Sequence, residues 1–422
     1  MRIIYLLKVA WRNLSRNKVR TFVSVLAITA VVMIVIFARG LMLGFTESNF
    51  QTYIDNSFGH VRITEEEYQI REALLPLEYT VDGFAGAGKS EMISEIKTLD
   101  RVEHVLPRIR FGAMASIDDR LIRMSGVGID TAAENEYGAL KADLKEGRMP
   151  ESDNEIYVGS GLMEKLNADL GDRVTFSFAD AYQSLRGRSF KIVGVRESGV
   201  VQLDDNFFYL PLSTAQDMLW MENEATELLV FAADAQEAER LQTDINTLLS
   251  EKNAENYTSV IWNKADPLIE IYNEVGNLMN LVYVLFILLG TIVVTSSLNM
   301  IIRERTSEIG MMAALGLKEK EIMKIFVYEG SFMGVIGSLM GVIGGGIITF
   351  YYSIEGIYVD VFADAMKELD VLVEPVFYLI FNFENLLISF VLGVVVVTLA
   401  CLFPAYKAAK MDPVDALHYI DE

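Results

Sequence analysis

One segment of this 422-residue sequence has the residue types and spacing of a phosphate-binding loop. The run Gly83-Phe84-Ala85-Gly86-Ala87-Gly88-Lys89-Ser90 fits the pattern GxxxxGK followed by Ser or Thr, between a strand-like run at Leu77–Val81 and a helical run at Glu91–Leu99. In such a loop the backbone amides and the lysine hold the phosphates of a nucleotide. The residues that would do so here are Gly83, Gly88, Lys89 and Ser90.

We interpret this match as a coincidence, so no nucleotide or other cofactor is predicted to bind this chain. No apolar strand ending in a paired Asp-Glu follows to hold magnesium. The topology argued below also puts the loop outside the cytoplasm, where nucleoside triphosphates are scarce. A flexible turn in which Ser90 caps the next helix explains the same residues, because serine is a favoured N-cap.

Other residue types that do chemistry are scattered along the sequence. The three histidines are His60, His104 and His418, and the single cysteine, Cys401, lies in an apolar run. This distribution offers neither an intrachain disulfide nor a cysteine-based metal site, and no Ser-His-Asp or Cys-His arrangement accompanies it. Acid pairs such as Asp118-Asp119 are interpreted as solvated surface. We therefore predict no catalytic residue, no metal site and no enzyme.

The formal net charge of −22 is unevenly distributed. Residues 46–275 hold 21 Lys and Arg against 42 Asp and Glu, whereas residues 1–20 hold six basic residues and no acid. An acidic surface repels phosphate backbones, which excludes nucleic acid as a partner. The basic segment 1–20 also has apolar residues on one helical face and charged residues on the opposite face. It is therefore predicted to be an amphipathic helix at the cytoplasmic interface of membrane lipid.

Four apolar segments are long enough to cross a bilayer, which takes about 20 helical residues. They are 21–45, 276–302, 325–352 and 386–406. The basic N-terminus, the loop 303–324 and the tail 407–422 fall on one side, which the positive-inside rule makes cytoplasmic. The segment 46–275 and the acidic loop 353–385 then lie outside. The first span is predicted to stay uncleaved, since no convincing small-x-small site follows it.

The predicted fold class is a membrane α-helical protein with four transmembrane helices and a large α/β extracytoplasmic domain between the first and second. Strand-like runs within 46–275 are Gly59–Thr64, Arg108–Ile117, Leu121–Ile129, Arg173–Phe178, Phe190–Val195, Phe207–Leu212 and Leu228–Ala232. Helical runs cluster at both ends, which predicts a strand-rich subdomain at about 111–221 inserted between porter-like halves at about 46–110 and 222–275. From Pro267 a helical pattern continues without a breaker into 276–302, so that span is predicted to carry a stalk.

The third span is rich in small residues at helical spacing. They include Gly330, Gly334, Gly337, Gly341 and Gly345. Glycines four residues apart let helix backbones approach closely in lipid, so this face is predicted to pack against another span or subunit. For Glu329, at the inner end of the span, two interpretations stay open: a functional charge within the membrane, or a carboxylate that snorkels to the interface.

Several motifs, in the right order over the whole chain, resemble those of MacB/LolC/LolE-type permeases, the mechanotransmission (type VII) class of ABC transporters. They are Arg12–Thr21, Gly147–Pro150 with Glu155–Gly159 and Gly171–Val174, Arg303–Gly310 with Ala314–Gly316, and Pro404–Leu417. The run Gly59–Ile63 is similar to the lipoprotein-releasing branch. Met311-Met312-Ala313 depart from the family, which usually has an arginine there.

The resemblance implies a permease that pairs with a second copy or a related permease and binds a cytoplasmic ABC ATPase dimer. That ATPase would bind ATP and Mg, and the long helices would move the outer domain. The implied ATPase-coupling residues are Arg303, Glu304, Arg305, Glu308, Gly310 and Gly316. Without an ATPase of its own, the chain resembles the lipoprotein-releasing branch. We therefore expect it to extract lipoproteins from the inner membrane, with a periplasmic acceptor as a further partner.

Two alternatives remain open from the sequence. The same mechanism would serve the export of a peptide, an antibiotic or another amphiphile. In a different class, the chain would be a membrane-anchored sensor or scaffold whose loop only signals.

Overall fold

The structure, a computed structural model, describes residues 2–16, 18–117, 120–198, 200–265, 267–358 and 376–411. The chain divides into two compact units. The membrane unit consists of Met1–Thr46, Tyr272–Ile357 and Val376–Glu422, and the sheet domain contains Glu47–Ile271. The acid pair Asp118-Asp119, most of the predicted loop 353–385, and the tail from residue 412 with His418 lie outside the described residues.

The α-helices of the described residues include four long apolar ones, near the two ends of the chain, and shorter ones among the strands. They are α1 (Arg2–Arg16), α2 (Lys18–Tyr53), α3 (Glu66–Ile70), α4 (Lys89–Ile96), α5 (Thr131–Tyr137), α6 (Ala139–Ala142), α7 (Ser160–Lys165), α8 (Val201–Asn206), α9 (Leu212–Leu219), α10 (Ala238–Glu251), α11 (Pro267–Glu304), α12 (Thr306–Ala314), α13 (Glu319–Glu355) and α14 (Phe383–Ala409). The predicted unbroken helix that starts at Pro267 is confirmed as α11, which is 38 residues long.

The sheet domain is built on one ten-stranded mixed sheet. Its strands are β1 (Val61–Glu65), β2 (Val102–Ile117), β3 (Arg120–Ile129), β4 (Leu144–Gly147), β5 (Glu155–Gly159), β6 (Arg173–Ala179), β7 (Leu185–Arg196), β8 (Phe207–Pro211), β9 (Glu227–Ala232) and β10 (Tyr257–Ile261). Their order across the sheet is β10-β1-β9-β2-β3-β8-β5-β7-β4, and β6 pairs with β2 and β7. The predicted α/β character is confirmed, and each of the seven strand-like runs overlaps a strand.

The sheet differs from the sequence-based expectation in three places. Leu77–Val81 is not a strand: only Val81 pairs, in a single bridge to Ala225, and Pro76 before the run has no amide hydrogen to donate. The short strands β4, β5 and β10 were not expected, since four or five residues carry little periodic signal. The subdomain boundary expected at about residue 110 falls within β2. Strands from both sides of that boundary therefore belong to one sheet.

Amphipathic periodicity explains how the core of the sheet domain forms. Along β6, exposed residues alternate with buried Val174, Phe176 and Phe178, as expected for a strand with one face in the core. Helix α10 buries Leu241 and Ile245 on one stripe against the same core. Each such fully buried side chain contributes about 1.5–3 kcal/mol, so the apolar core holds the domain together.

In the membrane unit, three described helices are long and apolar enough to cross a membrane. They are Thr21–Phe58, Glu319–Glu355 and Phe383–Ala409. They contain the predicted spans 21–45, 325–352 and 386–406. The fourth predicted span, 276–302, lies within α11, whose side chains are described only in part. β11 (Ile357–Tyr358) and β12 (Val376–Phe377) pair in a two-stranded ribbon.

Candidate functional site

The predicted coupling loop is a short helix held between two long ones. α11 ends at Glu304, α12 occupies Thr306–Ala314, and α13 begins at Glu319. Gly316 follows α12 with a φ of +91°, a conformation that favours glycine, so this residue allows the chain to turn. The carboxylate of Glu321 accepts the Lys318 amide at 3.1 Å and closes the first turn of α13.

Behind α12, a cluster of charges links three helices. Arg305 is 7% exposed, its Nε donates to Oε2 of Glu308 at 2.9 Å, and its Nη1 lies 3.6 Å from Oε2 of Glu329. Arg16, at the end of α1, donates to the other carboxylate oxygen of Glu308. Burial opposes ionisation of Glu308, but the hydrogen bonds from Arg16 and Arg305 outweigh it and hold the pKa of this carboxyl below its usual value.

Glu329 faces this cluster rather than solvent. Its side chain is 2% exposed, and Asn13 of α1 hydrogen-bonds to it. Among the residues that the structure describes, its Oε2 has no hydrogen-bond partner beyond the ion pair with Arg305. A buried carboxylate next to a buried guanidinium is costly to leave unpaired, so the pair fixes α12 against α13. Of the two interpretations left open above, snorkelling to the interface does not describe this geometry.

Helix α1 packs along α13 and completes the brace. Its Leu6, Ala10 and Leu14 are buried, and the Trp11 ring meets the Phe332 ring edge-on, with centroids 5.3 Å apart. The sequence singled out neither Arg16 nor these aromatic contacts as part of the loop. A basic residue at the end of an amphipathic helix, 292 positions before Glu308, gives no local signal of that pairing.

Other residues of the loop are exposed. Arg303 and Glu304 are exposed, and so are two apolar side chains, Met311 at 51% and Leu315 at 79%. Gly310 is buried within α12. The predicted coupling residues thus differ in exposure: Arg305 is buried and paired with Glu308 and Glu329, whereas Arg303 and Glu304 are exposed. Met311 and Leu315, four residues apart, form an exposed apolar knob on the loop.

The glycines of α13 lie where neighbouring helices approach closely. A Cβ built on Gly337 would lie 2.7 Å from Ile28, one on Gly341 2.7 Å from Val32, and one on Gly345 3.1 Å from Ile36, all on α2. A Cβ on Gly334 would lie 3.2 Å from Val397 on α14, and Gly330 is buried. Thr29 of α2 donates its hydroxyl to the Gly337 carbonyl at 3.2 Å, which the close approach permits.

The hydrogen-bond donors of the loop with the phosphate-binding pattern bond to nearby residues of the sheet domain. The amide of Gly88 donates to the Asp82 carbonyl at 2.6 Å, and the amide of Lys89 donates to the Asn223 carbonyl at 2.9 Å. The Lys89 ammonium and the Ser90 hydroxyl both donate to Oδ1 of Asn223, at 3.3 and 2.8 Å. These donors, which would meet a phosphate in a nucleotide-binding loop, thus already have partners within the domain.

Two protein-family models match this chain. Residues 21–248, more than half of the chain, match the model of the MacB-like periplasmic core domain. The chain belongs to the MacB-like permease family. Residues 280–413, which include the coupling loop, match the FtsX-like permease C-terminal model. These matches identify the chain as an ABC transporter permease of the LolC/MacB type.

The relatives of this MacB-like permease include lipoprotein-releasing and export proteins. The lipoprotein-releasing system transmembrane protein LolC of Xylella fastidiosa (strain 9a5c) is 24% identical over 314 residues, 69% of this chain and 72% of its own length. The macrolide export ATP-binding/permease protein MacB of Nitrosomonas europaea is 24% identical over 427 residues, 97% of this chain and 58% of its own length. The crystal structure of the periplasmic region of MacB from Actinobacillus actinomycetemcomitans covers 48% of this chain and 88% of its own, at 14% identity and a TM-score of 0.34.

Proposed function

We propose that this MacB-like permease couples ATP hydrolysis by a separate cytoplasmic ABC ATPase to movement of its sheet domain, and thereby extracts lipoproteins from the inner membrane. The observation that carries the proposal is the braced coupling helix. Arg305 and Glu308 tie α12 to α1 and α13, while Met311 and Leu315 project from it. A rigidly held helix with an exposed apolar knob transmits the movement of a bound ATPase to the permease without deforming, since packed protein cores resist compression.

The topology belongs to the same proposal. Four spans, including 276–302, put both termini and the loop 303–324 in the cytoplasm, and the sheet domain and the loop 353–385 on the other side. ATP and Mg are bound by the partner ATPase, and this chain holds neither. The permease pairs with a second copy or a related permease, as expected from the family, and it hands its substrate to a periplasmic acceptor.

The loop is tested by a matched pair of substitutions. Leu315→Arg adds charge to the knob, whereas Leu185→Arg does the same at an equally exposed leucine of the sheet domain, 73% against 79% exposed. We expect Leu315→Arg to abolish copurification with the partner ABC ATPase, and Leu185→Arg to leave it intact. Equal copurification of both variants would overturn the docking role of α12 and favour a sensor or scaffold.

The substrate is tested separately. The LolC relatives favour lipoproteins, and the alignment with MacB over 97% of this chain favours export of an amphiphile as the second candidate. Proteoliposomes that contain the permease and its ATPase would be loaded with a fluorescent triacylated lipopeptide or with a macrolide. We expect ATP-dependent release of the lipopeptide only, and release of the macrolide alone would support the second candidate instead.

A further inference from the structure

The carboxyl end of α2 is gripped by a buried arginine of the sheet. The helix ends in one π-turn, Ile54–Phe58, and Arg108 of β2 lies against it with 1% exposure. Its Nη1 donates to the Asn56 carbonyl at 2.7 Å and its Nη2 lies 3.4 Å from the Asp55 carbonyl, while its Nε donates to Glu134 at 2.7 Å. The guanidinium therefore caps carbonyls at the negative end of the helix and carries its own counter-ion.

A second buried arginine reaches the same turn from another strand. Arg196, at the end of β7, is 0% exposed, and its Nη2 donates to the Asn56 side-chain oxygen at 2.5 Å. Its Nε and Nη2 also donate to Asp143, at 3.0 and 2.6 Å, and its Nη1 donates to the Tyr209 hydroxyl. Asn56 is thus held by its backbone from one strand and by its side chain from another.

A third contact holds Asp55, the residue before Asn56. The Tyr137 hydroxyl, from the last turn of α5, hydrogen-bonds to the Asp55 carboxylate, and Gln51 donates to the same oxygen at 2.9 Å. β2 and β7 are not neighbours in the sheet order, since β3, β8 and β5 lie between them. Side chains from two separated strands and one helix converge on a single turn, which is more than a helix end needs for capping.

We propose that Arg108 and Arg196 are positioning residues of a latch that locks the carboxyl end of α2 to the sheet, so that movement of this helix is passed to the domain rather than lost in the turn. The inference rests on the proposed function, because only an ATP-driven permease gives α2 a movement to transmit. Arginine is required rather than lysine, since one planar fork must reach three acceptors in three directions, which a single ammonium does not do.

The test compares variants of the latch with a control of equal stability. Arg108→Lys keeps the charge and removes the fork, and Asn56→Ala removes only one acceptor side chain, so it serves if the first variant fails to fold. Ile192→Val, in the apolar core of β7, is the control for lost stability, or Phe190→Leu if a larger loss of Tm must be matched. Each is studied as the full chain with its ATPase in nanodiscs. Three quantities are measured: ATP hydrolysis, release of a triacylated lipopeptide per ATP, and amide hydrogen exchange of residues 54–58.

The expected result separates coupling from folding. Both latch variants should hydrolyse ATP within about twofold of wild type but release at least tenfold less lipopeptide per ATP, with faster exchange at 54–58. The control should lose the same Tm without losing release per ATP. Release per ATP equal to that of the control would overturn the latch. A wild-type complex that shows no ATP-dependent release would overturn the proposed function itself, and the coupling role of the latch with it.

Discussion

Replacing Gly341 by alanine places a methyl group where α13 and α2 are closest. The new Cβ would lie 2.7 Å from Cβ of Val32 and 2.9 Å from the carbonyl oxygen of Thr29, and neither atom can rotate away from the α2 backbone. The helices must therefore shift apart. Gly346→Ala is the matched control on the same helix, because its Cβ would meet only flexible side-chain atoms, the nearest at 3.6 Å on Leu386.

The size of the effect follows from two opposing terms. Overpacking of a tight contact costs about 1–3 kcal/mol. Exchanging glycine for alanine inside a helix contributes about 0.5–1 kcal/mol in the stabilising direction. The helix term is shared by both variants and cancels between them. The packing term alone separates Gly341→Ala from Gly346→Ala, so their opening equilibria should differ by about 5- to 150-fold.

The chain provides its own probe for this difference. Cys401 is the single cysteine of the sequence, is 0% exposed, and lies in the same apolar cluster as Val32 and Ile28. When reclosing is fast, the rate of maleimide labelling of its thiol reports the open population. We expect Gly341→Ala to be labelled about 5- to 150-fold faster than Gly346→Ala. Equal rates, or faster labelling of Gly346→Ala, would refute the close α2–α13 packing.

Three further expectations concern charged groups. Arg305→Ala leaves the buried carboxylate of Glu329 without its ion partner, so the free energy of unfolding in chaotrope should fall by about 3–5 kcal/mol, and the double variant Arg305→Met with Glu329→Leu should recover most of it. Hydrogen bonds from Arg148 outweigh partial burial and lower the pKa of Glu155 to about 2, so the ionised pair stabilises the fold above about pH 4.3 and that stabilisation is lost as the pH falls towards 2. Thermal unfolding should therefore depend less on pH over that window in Arg148→Gln than in wild type, and parallel curves would contradict the assignment. Lys89→Met should leave ATP hydrolysis by the assembled complex unchanged, because its ammonium and the preceding amide already bond within the domain; a tenfold fall would show that the loop handles nucleotide.

The periodicity of apolar residues and the length of the apolar segments predicted most of the architecture from the sequence. The alternating run Arg173–Phe178 and the continuous apolar run Leu228–Ala232 lie in strands, and the uninterrupted helical pattern after Pro267 lies in one helix. These signals are local, so a single sequence contains them. The order of strands across the sheet is not local, and four-residue β4, with three of its residues exposed, carries no alternation to detect.

The residue types of the candidate site were predictable from the sequence, but the neighbours that these residues contact were not. Glycines at four-residue spacing indicated close packing, yet nothing in the sequence said that Gly341 would face Val32 of α2. The sequence assigned Arg305 and Glu308 the same ATPase-coupling role as Arg303 and Glu304. The burial of Arg305 against Glu329 and the link of Glu308 to Arg16 depend on tertiary contacts with α13 and α1, which no spacing rule reports.

Amide hydrogen exchange of the permease bound to its ATPase in nanodiscs tests the coupling most directly. Exchange would be measured in the segment Glu47–Phe58, without nucleotide and after trapping with ATP and vanadate. If ATP hydrolysis in the cytoplasm moves the sheet domain through the long helices, exchange in this segment will change on trapping. Identical exchange in both states, or a chain that never associates with the ATPase, would contradict the coupling of hydrolysis to the sheet domain.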